Sequence, residues 1–264
     1  MKIGVFDSGI GGLVITKAFV ETLPEYDYVY YGDTANLPYG DKSPQQILTY
    51  TTNAIKFLIS QNCGLIIIAC NTATSIALRF LQQNFIPHYA PDVKVLGVVI
   101  PTVEEALLDD ATEVGVLATS ATINSHIYRE ELRKIKPNLS ITEVAAPELV
   151  PLIENNLISD AESMAVEYAK QFQDIDSLIL GCTHYPLVKT ALRKHLSEKT
   201  KIVSQDEFMG AKLKDYLSRH MEIDICLSRE GQLKTLVSKQ NDYYQKVAEM
   251  LFPNVVIEEV KQHA

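Results

Sequence analysis

Two apolar segments of this chain recur at one spacing, and that recurrence narrows the fold more than any other feature. Ile3-Gly4-Val5-Phe6-Asp7-Ser8 aligns with Val114-Gly115-Val116-Leu117-Ala118-Thr119 at an offset of 111. Leu65-Ile66-Ile67-Ile68-Ala69-Cys70-Asn71 aligns with Ser177-Leu178-Ile179-Leu180-Gly181-Cys182-Thr183 at an offset of 112, with Thr72 following the first segment. Buried strands resemble one another, so either match alone carries little. Two matches at nearly one offset, both ending in polar residues, predict two similar units.

Strand signals alternate with helix signals around these segments. Lys2 to Phe6, Tyr28 to Tyr31, Leu65 to Ala69, Leu96 to Ile100, Val114 to Ala118, Ser177 to Leu180 and Lys201 to Val203 read as short strands. Ser43-Pro44-Gln45-Gln46 reads as a capping box with proline at the first helical position. Ile47, Tyr50, Ala54, Phe57 and Leu58 then share one apolar face. Thr102-x-x-Glu105, Ser159-x-x-Glu162 and Ser204-x-x-Glu207 predict three more helix starts. Short strands alternating with helices mean parallel sheets and an α/β fold. Each unit then offers the carboxyl ends of its strands to a shared crevice, where open α/β sheets bind ligands.

A chain of 264 residues can form one large domain or two small ones. Its net charge of −9 is unsuited to tracking phosphates, so nucleic acid is not expected as primary ligand. The same charge argues against substrate capture by a broad basic surface, so an acidic ligand would need local donors. The longest apolar stretch, Leu65 to Cys70, is of strand length, too short for a signal peptide or membrane span. A cytoplasmic protein without membrane contact is expected.

The four cysteines are Cys63, Cys70, Cys182 and Cys226. A cytosolic chain of this size does not need disulfides. No C-x-x-C or H-x-x-x-H pair occurs, so no metal site is expected. Cys70 follows a buried strand and precedes a helix start, whose backbone N–H groups can bind a carboxylate and favour a thiolate. Cys182 has the equivalent position in the repeat. Cys63 and Cys226 read as small buried hydrophobes. Two equivalent cysteines facing one crevice suggest acid/base groups on opposite faces of a substrate.

Asp7 ends the first strand and could serve the site or merely cap the next helix. His184 lies two residues past Cys182, on its side if the backbone there is extended. Gly9-x-Gly11-Gly12 invites a dinucleotide reading but has Val14 where the third glycine belongs. Cys70 fails the Cys-x5-Arg phosphatase spacing, because the first following arginine is Arg79.

Six segments in order carry a family resemblance. They are Gly4-Val5-Phe6-Asp7-Ser8-Gly9-Ile10-Gly11-Gly12, Tyr31-Gly32-Asp33, Pro38-Tyr39-Gly40, Ala69-Cys70-Asn71-Thr72-Ala73-Thr74, Val150-Pro151-Leu152-Ile153-Glu154 and Leu180-Gly181-Cys182-Thr183-His184-Tyr185-Pro186. Over residues 1 to 190 the chain resembles the glutamate racemases of bacterial wall synthesis, within the aspartate/glutamate racemase superfamily. The resemblance implies two pseudo-symmetric open parallel-sheet domains, 1–97 with 211–264 and 98–210, with the active site in the cleft between them. It implies Cys70 and Cys182 as the two bases, Asp7 beside the first, and His184 supported by Glu154 beside the second. Ser8, Tyr39, Gly40, Asn71, Thr72, Thr119 and Thr183 would hold the substrate. It also implies glutamate as substrate, no cofactor, a homodimer, and a supply of D-glutamate for peptidoglycan and so for cell shape. Glu148 departs from the apolar pair that family members commonly carry there, and would be costly to bury unpaired.

The chemistry agrees with this set. Inverting an amino acid's α-carbon means removing a proton from one face and returning one to the other, which a thiolate and a thiol can do together. Neither Cys70 nor Cys182 has a lysine or arginine nearby in sequence, so thiolate formation must rely on helix N-termini, His184 and the substrate ammonium. Two other readings stay open: a cysteine hydrolase using Cys182, His184 and Glu154, and a non-catalytic binder of small acids.

Overall fold

The computed structural model describes residues 1–260. Its strands are β1 (Lys2–Asp7), β2 (Tyr28–Gly32), β3 (Cys63–Ile68), β4 (Lys94–Gly97), β5 (Glu113–Ala118), β6 (Ser140–Ala145), β7 (Ser177–Gly181), β8 (Lys201–Val203), β9 (Leu233–Val237) and β10 (Ile257–Glu259). They form two sheets, in the orders β10-β9-β2-β1-β3-β4 and β6-β5-β7-β8. Every described strand pairing is parallel.

The internal repeat is visible as topology. The run β2-β1-β3-β4 in the first sheet matches β6-β5-β7-β8 in the second, strand for strand. β3 and β7 are buried along their whole length, as strands covered by helices on both faces must be. Alternation along β1 sends Ile3 and Val5 to one core and Phe6 to the other. The second sheet is likewise covered on two sides, with Leu178 and Leu180 in one core and Ile179 in the other. Among the described residues no helix is long and apolar enough to cross a membrane.

The chain passes between the units twice. At the first crossing Val98 packs in a core of the first unit, while its neighbour Val99 packs in a core of the second. The predicted strand Leu96 to Ile100 therefore stops at Gly97, and Val99 already belongs to the helix Val99–Ala106. Thr102 does not start that helix. It sits inside it, its hydroxyl donating back to the Val98 carbonyl at 2.6 Å. The second crossing follows β8, where Ser204 precedes the helix Gln205–Arg219. Met209, Leu213 and Leu217 of that helix pack with Phe19 in the first unit's core. Residue 211 falls inside this helix.

Other local expectations fare unevenly. The capping box at Ser43 forms as read, with both reciprocal bonds to Gln46. Ser204 does precede a helix, but its hydroxyl turns to Asp206 and makes no cap. Ser159 lies within the helix Ile158–Ala169, which begins one residue earlier without a side-chain cap. Cys63 is buried as expected, whereas Cys226 is exposed. Glu148 is exposed and takes a hydrogen bond from Tyr168, so its substitution into the apolar pair carries no burial cost.

Candidate active site

Asp7 ends β1, and Ser8 follows it. Parallel pairing sets Phe6 beside Ile68 of β3, which brings Ala69 and Cys70 level with Asp7 and Ser8. The Ala69 N–H donates to the Phe6 carbonyl at 2.8 Å, and the Ser8 hydroxyl lies 3.5 Å from the Cys70 sulfur. Cys70 caps the helix Asn71–Phe80, its Sγ accepting from the Ala73 N–H at 3.4 Å. This is the helix-start setting that the sequence predicts.

The second unit repeats the arrangement with other side chains. Ala118 pairs with Gly181, so Thr119 and Cys182 emerge side by side from β5 and β7. Thr119 caps the short helix Ser120–Asn124 through the Thr122 N–H at 3.3 Å. Cys182 differs from Cys70: a turn and the 3-10 segment Tyr185–Val188 follow it, not an α-helix start. His184 is not on extended backbone either. Its φ of −82° and ψ of −25° curl the chain, and this curl brings Nδ1 to 3.7 Å from the Cys182 sulfur.

Glu154, the last residue of the helix Leu149–Glu154, bonds the other ring nitrogen of His184. Its Oε1 also accepts from the Ile10 N–H of the first unit at 3.0 Å. Thr183 reaches across as well, donating to Asp7 Oδ2 at 3.1 Å. Asp7 Oδ1 meanwhile accepts from the Gly9 N–H at 2.9 Å, so the carboxylate serves the cleft and does not cap the following helix. Thr72 and Thr119 meet across the units at 2.8 Å. Tyr39 is held by its hydroxyl on Asp33 Oδ2 at 2.7 Å.

Two glycines of the first unit permit this closeness. A Cβ on Gly11 would lie 2.7 Å from the Thr183 carbonyl carbon and 2.8 Å from the His184 nitrogen. A Cβ on Gly40 would lie 2.9 Å from the Thr119 Cβ. Gly9 and Gly11 of the failed dinucleotide pattern thus face the second unit, while a Cβ on Gly12 would meet Asp7 and Tyr30 of the first.

Of the candidates read from the sequence, Ser8, Tyr39, Gly40, Cys70, Asn71, Thr72, Thr119, Cys182, Thr183 and His184 line one small cavity, together with Val150. Its free volume is about 10 Å³. Asp7 and Glu154 stand behind this lining and bond residues in it. Sequence reasoning missed Tyr128 and Gln205, which bond Asn71 from 57 and 134 residues away. No local pattern marks either one. It also missed Tyr30, whose buried hydroxyl holds the Gly9 carbonyl.

The two cysteines stand in unlike electrostatic settings. Burial, reinforced by the charge of Asp7, pushes the Cys70 thiol up to about 12, against the opposing pull of the Ala73 N–H and Ser8. Burial likewise raises Asp7 to about 6, opposed by His184, the Gly9 N–H and Thr183. Burial alone would discharge His184. The Glu154 charge beside it, with bonds to Cys182 and Glu154, instead holds its pKa well above the ordinary range. A charged ring would present Nδ1–H to the Cys182 sulfur at 3.7 Å and to the Thr183 hydroxyl at 3.4 Å. Among the described residues no group of three or more His, Cys, Asp or Glu is arranged to hold a metal ion.

Two like α/β units that bring a pair of thiols to one enclosed cleft form a site suited to acid–base chemistry. The chain belongs to the Asp/Glu/Hydantoin racemase family, whose model matches residues 3–205. It is similar to the glutamate racemase of Hydrogenobaculum sp. (strain Y04AAS1), 43% identical over 216 residues that cover 80% of each chain. A glutamate racemase from Francisella tularensis solved in complex with D-glutamate superposes with a TM-score of 0.86 at 35% identity, covering 99% of this chain and 97% of that one. A glutamate racemase isoform from Bacillus anthracis gives a TM-score of 0.87 at 29% identity over 98% and 97% of the two chains. The two-sheet architecture is thus that of solved glutamate racemases, and the chain is an isomerase of this family.

Proposed function

We propose that this chain interconverts L- and D-glutamate by a two-base 1,1-proton transfer between Cys70 and Cys182, without a cofactor. The observation that carries the reading is the pair of cysteines at equivalent strand ends, lining one cavity, each with its own acid/base neighbour. In this scheme one thiolate takes the α-proton and becomes a thiol, leaving a carbanion. The opposite thiol delivers its proton to the other face and becomes a thiolate. His184, charged through Glu154, stabilises the Cys182 thiolate by donating from Nδ1. Cys70 relies on the N–H of Ala73, and its thiol gains acidity when a substrate ammonium offsets the Asp7 charge. Asn71, Thr72, Thr119 and Ser8 would offer amide or hydroxyl donors to the carboxylates, while Thr183 and Tyr39, whose hydroxyl protons are engaged on Asp7 and Asp33, and Gly40 could offer only backbone N–H groups.

The proposal carries the rest of what the resemblance implies. The product D-glutamate would serve peptidoglycan synthesis, in the cytoplasm, in a homodimer. The division into 1–97 with 211–264 and 98–210 belongs to it too.

Chiral chromatography of reactions started from each enantiomer tests the reading. Product is expected from both L- and D-glutamate in the presence of a chelator and without added pyridoxal phosphate. The kcat/KM for glutamate should exceed that for aspartate by about tenfold or more, the scale on which a pocket distinguishes one methylene. Equal values would place the chain in a broad-specificity class. The Cys182-His184-Glu154 alignment also resembles a hydrolytic triad. That second reading leaves Cys70 without a role and predicts no racemic product.

Of the two thiols, His184 bonds that of Cys182, and Glu154 bonds His184, which gives a directional expectation. His184→Asn and Glu154→Gln should slow isotope exchange on the Cys182 face about a hundredfold more than on the Cys70 face. Exchange measured separately from L- and D-glutamate reads this out. Equal losses from both enantiomers would assign the two residues to structure alone.

A further inference from the structure

We propose that Gln205, with Tyr128, is a positioning residue that aims the Asn71 amide N–H at the substrate. This rests on the glutamate reading above and deepens it, because Asn71 is one of the groups assigned there to the carboxylates.

The argument is one of hydrogen-bond direction. Thr102 has one hydroxyl proton, and it is engaged on the Val98 carbonyl at 2.6 Å. Its oxygen must therefore accept from Gln205, which donates from Nε2 at 3.0 Å. That fixes which end of the Gln205 amide is which. The other Nε2 proton goes to Asn71 Oδ1 at 2.9 Å, and Gln205 Oε1 accepts from Asn71 Nδ2 at 3.0 Å. Tyr128 adds its hydroxyl proton to Asn71 Oδ1 at 2.6 Å. Both acceptor sites of the Asn71 oxygen are then filled. One Nδ2 proton is used, and the second forms no bond within the described residues. Asn71 lines the cavity, directly after Cys70.

All four side chains are buried, so an unmade bond among them carries its full desolvation cost. Flipping the Asn71 amide would set Nδ2 against the Gln205 donor and Oδ1 against the Gln205 acceptor. The orientation of a donor beside Cys70 is thus dictated from elsewhere in the molecule. Thr102 follows the first crossing between the units, Gln205 begins the helix after the second, and Tyr128 belongs to the second unit. Asn71 belongs to the first.

A double-mutant cycle tests this. Calorimetric Kd for D-glutamate is measured for wild type, Gln205→Met, Asn71→Ala and the double variant. Gln205→Met keeps the length of the side chain and removes its polar atoms. The expected result is a Kd raised about tenfold or more by Gln205→Met in the wild-type background, the scale of one hydrogen bond to a charged group. In the Asn71→Ala background the same change should move Kd less than about twofold. KM should rise more than kcat falls, with the pH profile unchanged, because neither thiol nor its neighbours are touched. If Gln205→Met fails to fold, Tyr128→Phe carries the same cycle with the same two readings. An unchanged Kd, or an equal change in both backgrounds, overturns the proposal while racemisation by the wild type leaves the function standing. A wild-type chain that converts neither enantiomer removes the reading beneath it, and this inference with it.

Discussion

Cys70→Ser and Cys182→Ser are each expected to lower glutamate racemisation by about a thousandfold or more. A serine hydroxyl is a far weaker acid than a thiol, so its alkoxide is hardly available near neutral pH, and general-base catalysis at that face is lost. The loss should be one-sided. Each variant can still exchange the α-proton of the enantiomer that faces its surviving thiol. On the proposed mechanism, and by analogy with the family, Cys70 would serve the D-side and Cys182 the L-side. In deuterated water, wild-type product should carry solvent deuterium from the first turnover, while recovered substrate carries little. A single base swinging between faces would return original proton to the product. Cys63→Ser should retain activity with a packing cost of about 1 kcal/mol, since Cys63 lies in the core against Gly4. Cys226→Ser should be neutral, because Cys226 is exposed. Near wild-type racemisation by Cys70→Ser would sink the two-cysteine mechanism and turn attention to the hydrolase reading.

Gly11→Ala is expected to cost about a hundredfold in kcat/KM while leaving the protein folded. The added methyl would meet backbone, the Thr183 carbonyl carbon at 2.7 Å and the His184 nitrogen at 2.8 Å. Backbone cannot swing aside as a side-chain tip can, so the loop carrying Cys182 and His184 must shift. Displacements of about 1 Å at a reacting group cost rate on this scale. Stability should suffer less, since the contact joins two units that each have their own cores. Circular dichroism and a thermal melt alongside the kinetics separate the two effects. Full activity in Gly11→Ala would show that the units need not approach so closely during turnover.

The parts of the fold that the sequence announced are those where burial is two-sided. β1, β3, β5 and β7 read as apolar runs because helices cover both faces of their sheets. The repeat between them predicted two similar units, and these share a strand order. β6, β9 and β10 went unread. β6 and β10 are edge strands with exposed, polar-rich faces, and β9 is only partly buried at its start. Leu96 to Ile100 misled because apolar content cannot tell which core each residue enters. In the site, Asp7, Cys70 and Cys182 stood at strand ends and were legible as positions. Glu154 was reachable only through the resemblance, since its link to His184 spans 30 residues and a change of element. Gln205 and Tyr128 gave no signal at all. A buried amide's value lies in which partners it finds, and those partners are fixed only when both units close.

The smallness of the cavity bears on traffic. A space of about 10 Å³ admits a single water and far less than any amino acid. For the proposed reaction, a substrate would therefore enter only if the cleft widened. The seam between the units is fastened by Thr72 to Thr119, Thr183 to Asp7 and Glu154 to Ile10. These bonds join groups assigned above to the proposed chemistry, so on that reading loading and release would undo and remake the array. On that reading the chain would spend part of every cycle with the array apart, and its rate would depend on the reopening of the seam as well as on proton transfer.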